Sequence, residues 1–73
     1  MRRNTIDDIP NSLLINAINE WVKSERNRTL LIRRFIDGLT FEELSEEFNL
    51  SPQAVKKIVY DKGDKVLLRI LNN

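Results

Sequence analysis

The chain has 73 residues, 41% of them hydrophobic and 32% charged, with no cysteine and no histidine. That composition fits one soluble globular domain rather than a disordered chain. Its core must be small, since a domain of this length buries only about 60% of its unfolded surface. A disulfide framework and a thiolate metal site are excluded, and the net charge of +1 by itself points to no class of partner.

The charge is unevenly distributed. Residues 1–39 hold seven cations and five anions, residues 40–50 hold four glutamates and no cation, and residues 51–73 hold five cations and two aspartates. Positive potential therefore flanks an acidic segment. No apolar stretch follows Arg2 and Arg3, so no secretory signal is expected. No apolar run exceeds three residues, far short of a membrane span. A cytoplasmic location fits these features.

Strand-like alternation is missing and helical spacing recurs, so the expected fold class is all-α: a small bundle of four helices containing a helix-turn-helix, with a long C-terminal helix. One domain is expected over residues 1–73. Residues 1–9 read as a flexible tail, whose Arg2 and Arg3 are candidates for touching DNA. Helix one is expected over 10–23. Leu14, Ala17, Ile18 and Trp21 follow i, i+3, i+4, i+7, and Leu13 and Val22 widen that stripe. Trp21 on this stripe reads as a core plug.

Helix two is expected over 25–37, with Leu31, Ile32, Phe35 and Ile36 as its buried face and Arg33 and Arg34 off it. Gly38 stands where a left-handed residue commonly ends a helix. Helix three is expected over 40–48. Thr40 and Glu43 form a capping box, and Phe41, Leu44 and Phe48 share one face. Ser51 is an N-cap and Pro52 suits the first helical position, so a last helix is expected over 52–71. Val55, Ile58, Val59, Val66 and Ile70 carry its apolar phase across Gly63, where a break is the alternative.

Three residues, Asn49 to Ser51, separate the third and fourth helices, which is the spacing of a helix-turn-helix. Leu50 can plug the corner, and Phe41, Leu44 and Phe48 would pack on Val55, Ile58 and Val59. Gln53, Lys56, Lys57 and Tyr60 then occupy the outward side. Glutamine pairs with adenine edges and lysine reaches guanine acceptors or phosphates, so this stripe has the chemistry of a major-groove reading surface. Tyr60 reads equally as a phosphate contact or as a cover for the edge of the core.

The segment GLTFEELSEEFNLSPQAVKKIV resembles region four, the C-terminal DNA-binding part of bacterial sigma factors. The features that carry the resemblance are Thr40, Glu42–Glu43–Leu44, Phe48–Asn49–Leu50–Ser51 and Val55–Lys56, and the preceding RTLLIRRFIDG is similar to the family's helix before the motif. The resemblance covers roughly Arg26 to Leu71. The LuxR-type response-regulator domain shares much of the pattern. The resemblance implies that Gln53, Lys56 and Lys57 touch promoter base edges or nearby phosphates. It also implies that Ser51 approaches phosphate while capping, and that Arg33 and Arg34 reach the DNA backbone from helix two. Three positions depart from the family: Ser45 replaces alanine or glycine at the inter-helix contact, Pro52 removes one possible base contact, and Glu46 and Glu47 stand where some members carry cations. The chain begins with its own methionine and no promoter-melting domain precedes the motif. The resemblance therefore points to a free-standing transcription factor, of a kind plausible in prophages and mobile elements.

Catalysis is not expected: there is no Gly-rich phosphate loop, no metal-ligand spacing, and no means of burying carboxylates and lysines together. No cofactor or metal is expected. The expected partner is double-stranded DNA, with RNA polymerase as a further candidate. A module of the same fold that docks on polymerase through Glu42, Glu43, Glu46 and Glu47, without binding DNA, is the competing reading. Leu67, Leu68 and Leu71 leave the core stripe of the last helix, so either helix one covers them or two chains pair there as a homodimer.

Overall fold

A computed structural model describes residues 9–72, so Arg2, Arg3 and all of the expected tail but Ile9 lie outside the described residues. Four helices follow one another: α1 Asn11–Trp21, α2 Glu25–Phe35, α3 Phe41–Phe48, and a C-terminal helix of 20 residues. That last helix comprises α4 Pro52–Ile58, a π-helical turn Val59–Gly63 and α5 Asp64–Leu71. No strand occurs among the described residues. The all-α class and the long last helix are thus present as expected.

Local chemistry sets the helix ends. The Pro10 carbonyl accepts from the Leu13 and Leu14 N–H groups at 3.1 Å each. α1 stops at Trp21 because Val22 swings to extended backbone (φ −106°, ψ 116°), which sends its side chain into the core. Arg28 Nη1 ties this turn down by donating to the Val22 and Lys23 carbonyls at 2.8 and 2.9 Å. Ser24 Oγ then accepts from the Asn27 N–H at 3.3 Å and starts α2. α2 ends at Phe35. Gly38 takes a positive φ of 75°, open to glycine without a Cβ clash, and the Leu39 N–H returns to the Arg33 carbonyl at 3.2 Å.

The core is one cluster drawn from every helix: Ala17, Ile18, Leu30, Leu31, Leu44, Val55, Val59 and Val66, with Val22 from the turn. Leu14 is buried as well. Burial of each such Leu, Ile or Val side chain contributes about 1.5–3 kcal/mol, which matters in so small a domain. Two expectations are corrected. Trp21 is no core plug: it is 47% exposed, with the Arg69 guanidinium stacked 4.1 Å from its ring centroid. The buried face of α2 is Leu30 and Leu31, whereas Ile32, Phe35 and Ile36 are only half-buried. Asn27 is buried beside them, its Oδ1 accepting from the Arg26 guanidinium at 3.2 and 3.3 Å.

Gly63 does not break the last helix. Its backbone is helical (φ −64°, ψ −42°) and it is buried. A Cβ there would lie 2.9 Å from Phe35 Cζ, so the glycine lets α2 approach closely. The core-facing series Val55, Val59, Gly63, Val66, Ile70 is spaced four, four, three and four. The wide π turn falls at Val59–Gly63, where Gly63 meets the Phe35 ring of α2.

Candidate nucleic-acid interface

The corner between α3 and α4 positions every outward residue of interest. Thr40 Oγ1 accepts from the Glu43 N–H at 3.1 Å, and Glu43 Oε1 accepts from the Thr40 N–H at 2.8 Å. This reciprocal pair starts α3 sharply. α3 ends at Asn49, whose left-handed backbone (φ 57°, ψ 45°) is one that asparagine tolerates better than most residues. The N–H groups of Asn49 and Leu50 both turn back to the Ser45 carbonyl, the latter at 3.0 Å. Leu50 packs half-buried against the core. Ser51 Oγ accepts from the Ala54 N–H at 3.1 Å and opens α4 in a new direction.

Burial then sorts the two sides of α4 and of the start of the π turn that continues it. Val55 and Val59 are buried, with Ile58 half-buried beside them. Ser51, Gln53, Lys56, Lys57 and Tyr60 are all exposed. Lys56 and Lys57 form no ion pair among the described residues, whereas Lys62 and Lys65 approach Asp61 at 3.8 and 3.9 Å. Two ammonium groups therefore stand on the outward stripe without an anionic partner there.

Phe41 supports that stripe, which the sequence reading missed by assigning the ring wholly to the core. It is half-buried, and three side chains converge on it. The Arg34 guanidinium lies 4.4 Å from its centroid, Lys56 Nζ lies 5.8 Å away, and the Tyr60 ring meets it edge-on at 6.0 Å. The quadrupole of the ring favours both cations on its face and the tyrosine edge beside it. Arg34 is fixed further by donating from Nη1 to the Leu39 carbonyl at 2.7 Å.

Arg33 is held instead by two carboxylates. Its Nη2 pairs with Glu47 Oε1 at 2.8 Å and its Nη1 with Asp37 Oδ2 at 3.1 Å. Glu47 first, and Asp37 after it, push its pKa up from the ordinary arginine value by hydrogen bonding and charge attraction. A raised value lends stability below the ordinary pKa and loses it only as pH climbs past the raised one, beyond any working range. Of the four glutamates of α3, Glu43 is thus held in the cap and Glu47 by Arg33. The carboxylates of Glu42 and Glu46 have no hydrogen-bond partner among the described residues.

Among the described residues, no helix is long and apolar enough to cross a membrane. No curated protein and no solved structure gave a significant match to the chain. The family described as Sigma-70, region 4 matches residues 24–60, from the cap of α2 through the outward face of α4 and just over half of the chain. The chain therefore belongs to the Sigma-70, region 4 family, whose helix-turn-helix domains are DNA-binding modules associated with transcription.

Proposed function

We propose that the chain is a sequence-specific DNA-binding regulator of transcription that lays α4 in the major groove. One observation supports this most: Ser51, Gln53, Lys56, Lys57 and Tyr60 are all exposed on a helix whose opposite side is anchored by Val55 and Val59. From Ser51 to Tyr60 the stripe is about 14 Å long at 1.5 Å per residue, comparable to a few base-pair steps. The major groove, about 12 Å wide, accepts a helix of this kind.

In this reading Gln53 pairs with an adenine edge, and Lys57 reaches guanine acceptors or a phosphate. Lys56 and Tyr60, braced on Phe41, hold the backbone, and the Ser51 hydroxyl donates to a phosphate while its oxygen caps α4. Arg34 acts behind them through Phe41. Arg33 would have to exchange Glu47 and Asp37 for a phosphate. A role in transcription places the protein in the cytoplasm, with RNA polymerase as its natural second partner, and two copies acting on adjacent half-sites would strengthen the weak grip of one.

Selection of bound duplexes from a random library at two salt concentrations tests the proposal. A shared motif is expected, with retention falling steeply as salt rises. Failure to retain any duplex at low salt would contradict it. The second reading, docking on polymerase without DNA, draws on the exposed Glu42 and Glu46. Retention of a polymerase subunit in place of any duplex would favour it.

A further inference from the structure

Arg33 and Arg34 are neighbours in the last turn of α2, yet they hold opposite ends of α3. Arg34 meets its first residue: the guanidinium lies 4.4 Å from the Phe41 ring centroid, and Nη1 donates to the Leu39 carbonyl at 2.7 Å. Arg33 meets its last turn: Nε and Nη2 both donate to Glu47 Oε1, at 3.2 and 2.8 Å. Phe41 and Glu47 are separated by about 9 Å along the helix, at 1.5 Å per residue. Between them lies Leu44, the fully buried residue of α3, while Phe41 and Phe48 are half-buried. So short a helix, seated on one buried leucine, can pivot about it. A polar grip on either side of that leucine sets its angle.

The same two arginines close the turn that joins the helices. Arg33 Nη1 donates to Asp37 Oδ2 at 3.1 Å, and the Arg33 carbonyl accepts from the Leu39 N–H at 3.2 Å. Gly38, with its φ of 75°, stands between these two attachments. Asp37 and Glu47 also decide what Arg33 is available for. Three of its five N–H groups are committed to two carboxylates, whose summed charge exceeds its own. A phosphate would have to displace both, and would then face both. One exposed ion pair is weak by itself, but here one planar fork joins α3, the turn and α2 at once.

We infer that Arg33 and Arg34 are positioning residues: they clamp the two ends of α3 onto α2 and, through the corner at the Ser45 carbonyl, set the angle at which α4 presents Gln53 and Lys57. Arg33 is then no ligand of the DNA backbone, and Glu47 supports binding in spite of its charge. The consequence for DNA rests on the proposed function, but the clamp and its reach to α4 do not.

The test compares the natural chain with Arg33→Gln, Glu47→Gln and the double variant, at a temperature where circular dichroism shows each fully folded. Lost stability alone then moves nothing. Without DNA, heteronuclear NMR should show the amide signals of Ser51 to Lys57 displaced in each single variant, and displaced no further in the double variant. Changes confined to residues 33–47 overturn the reach to α4. Arg34→Lys keeps the charge but loses the planar stack and should displace the same signals; if it does not, the clamp lacks its second end and the proposal fails. On a selected duplex, Arg33→Gln and Glu47→Gln should each weaken binding at least about threefold, with no further loss in the double variant. Tighter binding by Glu47→Gln overturns the proposal, because that carboxylate would then only repel phosphate. A salt slope lower by about one unit in Arg33→Gln overturns it too, by making Arg33 a phosphate ligand. The Arg33 Nε–H signal of the natural chain should stay in place when duplex is added, and its displacement would contradict the clamp. A natural chain that binds no duplex, while the Ser51 to Lys57 signals still respond to Arg33→Gln, removes the proposed function and leaves the clamp standing.

Discussion

The corner of α3 and α4 and the flank of α1 and α5 are built in opposite ways. At the corner the polar groups are tied down locally: Thr40 with Glu43, Ser51 with Ala54, and two N–H groups on one Ser45 carbonyl. What remains outward is an amide, a phenol and two ammonium groups that form no ion pair among the described residues. At the flank no side chain caps the start of α1, and large apolar groups stay exposed. The lesson is that this domain fixes the outward face of α4 with short-range hydrogen bonds and leaves its hydrophobic surplus at the far end of the same long helix.

The comparison can be broken most strongly through the core beneath the corner. Leu44→Ala removes a fully buried side chain that α4 packs against, and should cost about 2–5 kcal/mol. Leu68→Ala, on the open flank, should change stability by less than about 0.5 kcal/mol. Urea unfolding of the two variants measures the contrast, and equal losses would erase the distinction between the regions. Gly63→Ala should come next. Its Cβ would press on Phe35 at 2.9 Å, a crowding cost of about 1–3 kcal/mol against a helix-propensity gain of about 1 kcal/mol. The melting temperature should fall, and Phe35→Leu in the same chain should recover part of the loss. Thr40→Ala should cost about 1 kcal/mol, still more than Leu68→Ala, because one cap bond goes while Glu43 can still reach the Thr40 position's N–H.

The features legible in the sequence were those set by neighbours in the chain. Thr40 with Glu43, and Ser51 before Pro52, are caps whose partners lie three residues away, so the helix starts at the corner could be read directly. The outward phase of Gln53, Lys56, Lys57 and Tyr60 followed from the buried phase of Val55 and Val59. What escaped depends on contacts distant in sequence. Trp21 lies on the correct face of α1, but periodicity names the face and not whether anything covers its last turn. Among the described residues Trp21 meets the Arg69 guanidinium rather than the core, and Val22 takes the interior place instead. Gly63 looked like a weak point because its reason for being glycine, the Phe35 ring, sits on another helix. Arg33 looked free for the same reason: its partner Glu47 lies fourteen residues on.

The most direct test of the central claim is the salt dependence of duplex binding by the natural chain and by Lys57→Ala, on the same selected site. The outward face of α4 predicts a linear fall of log affinity with log salt, shallower by about one unit of slope in Lys57→Ala if Lys57 meets a phosphate, with the melting temperature unchanged. Lys56→Glu with Lys57→Glu should abolish binding at every salt concentration while leaving the helical fold intact. Equal affinity and equal slope in all three chains would contradict the account, since DNA would then be held by some surface other than this one.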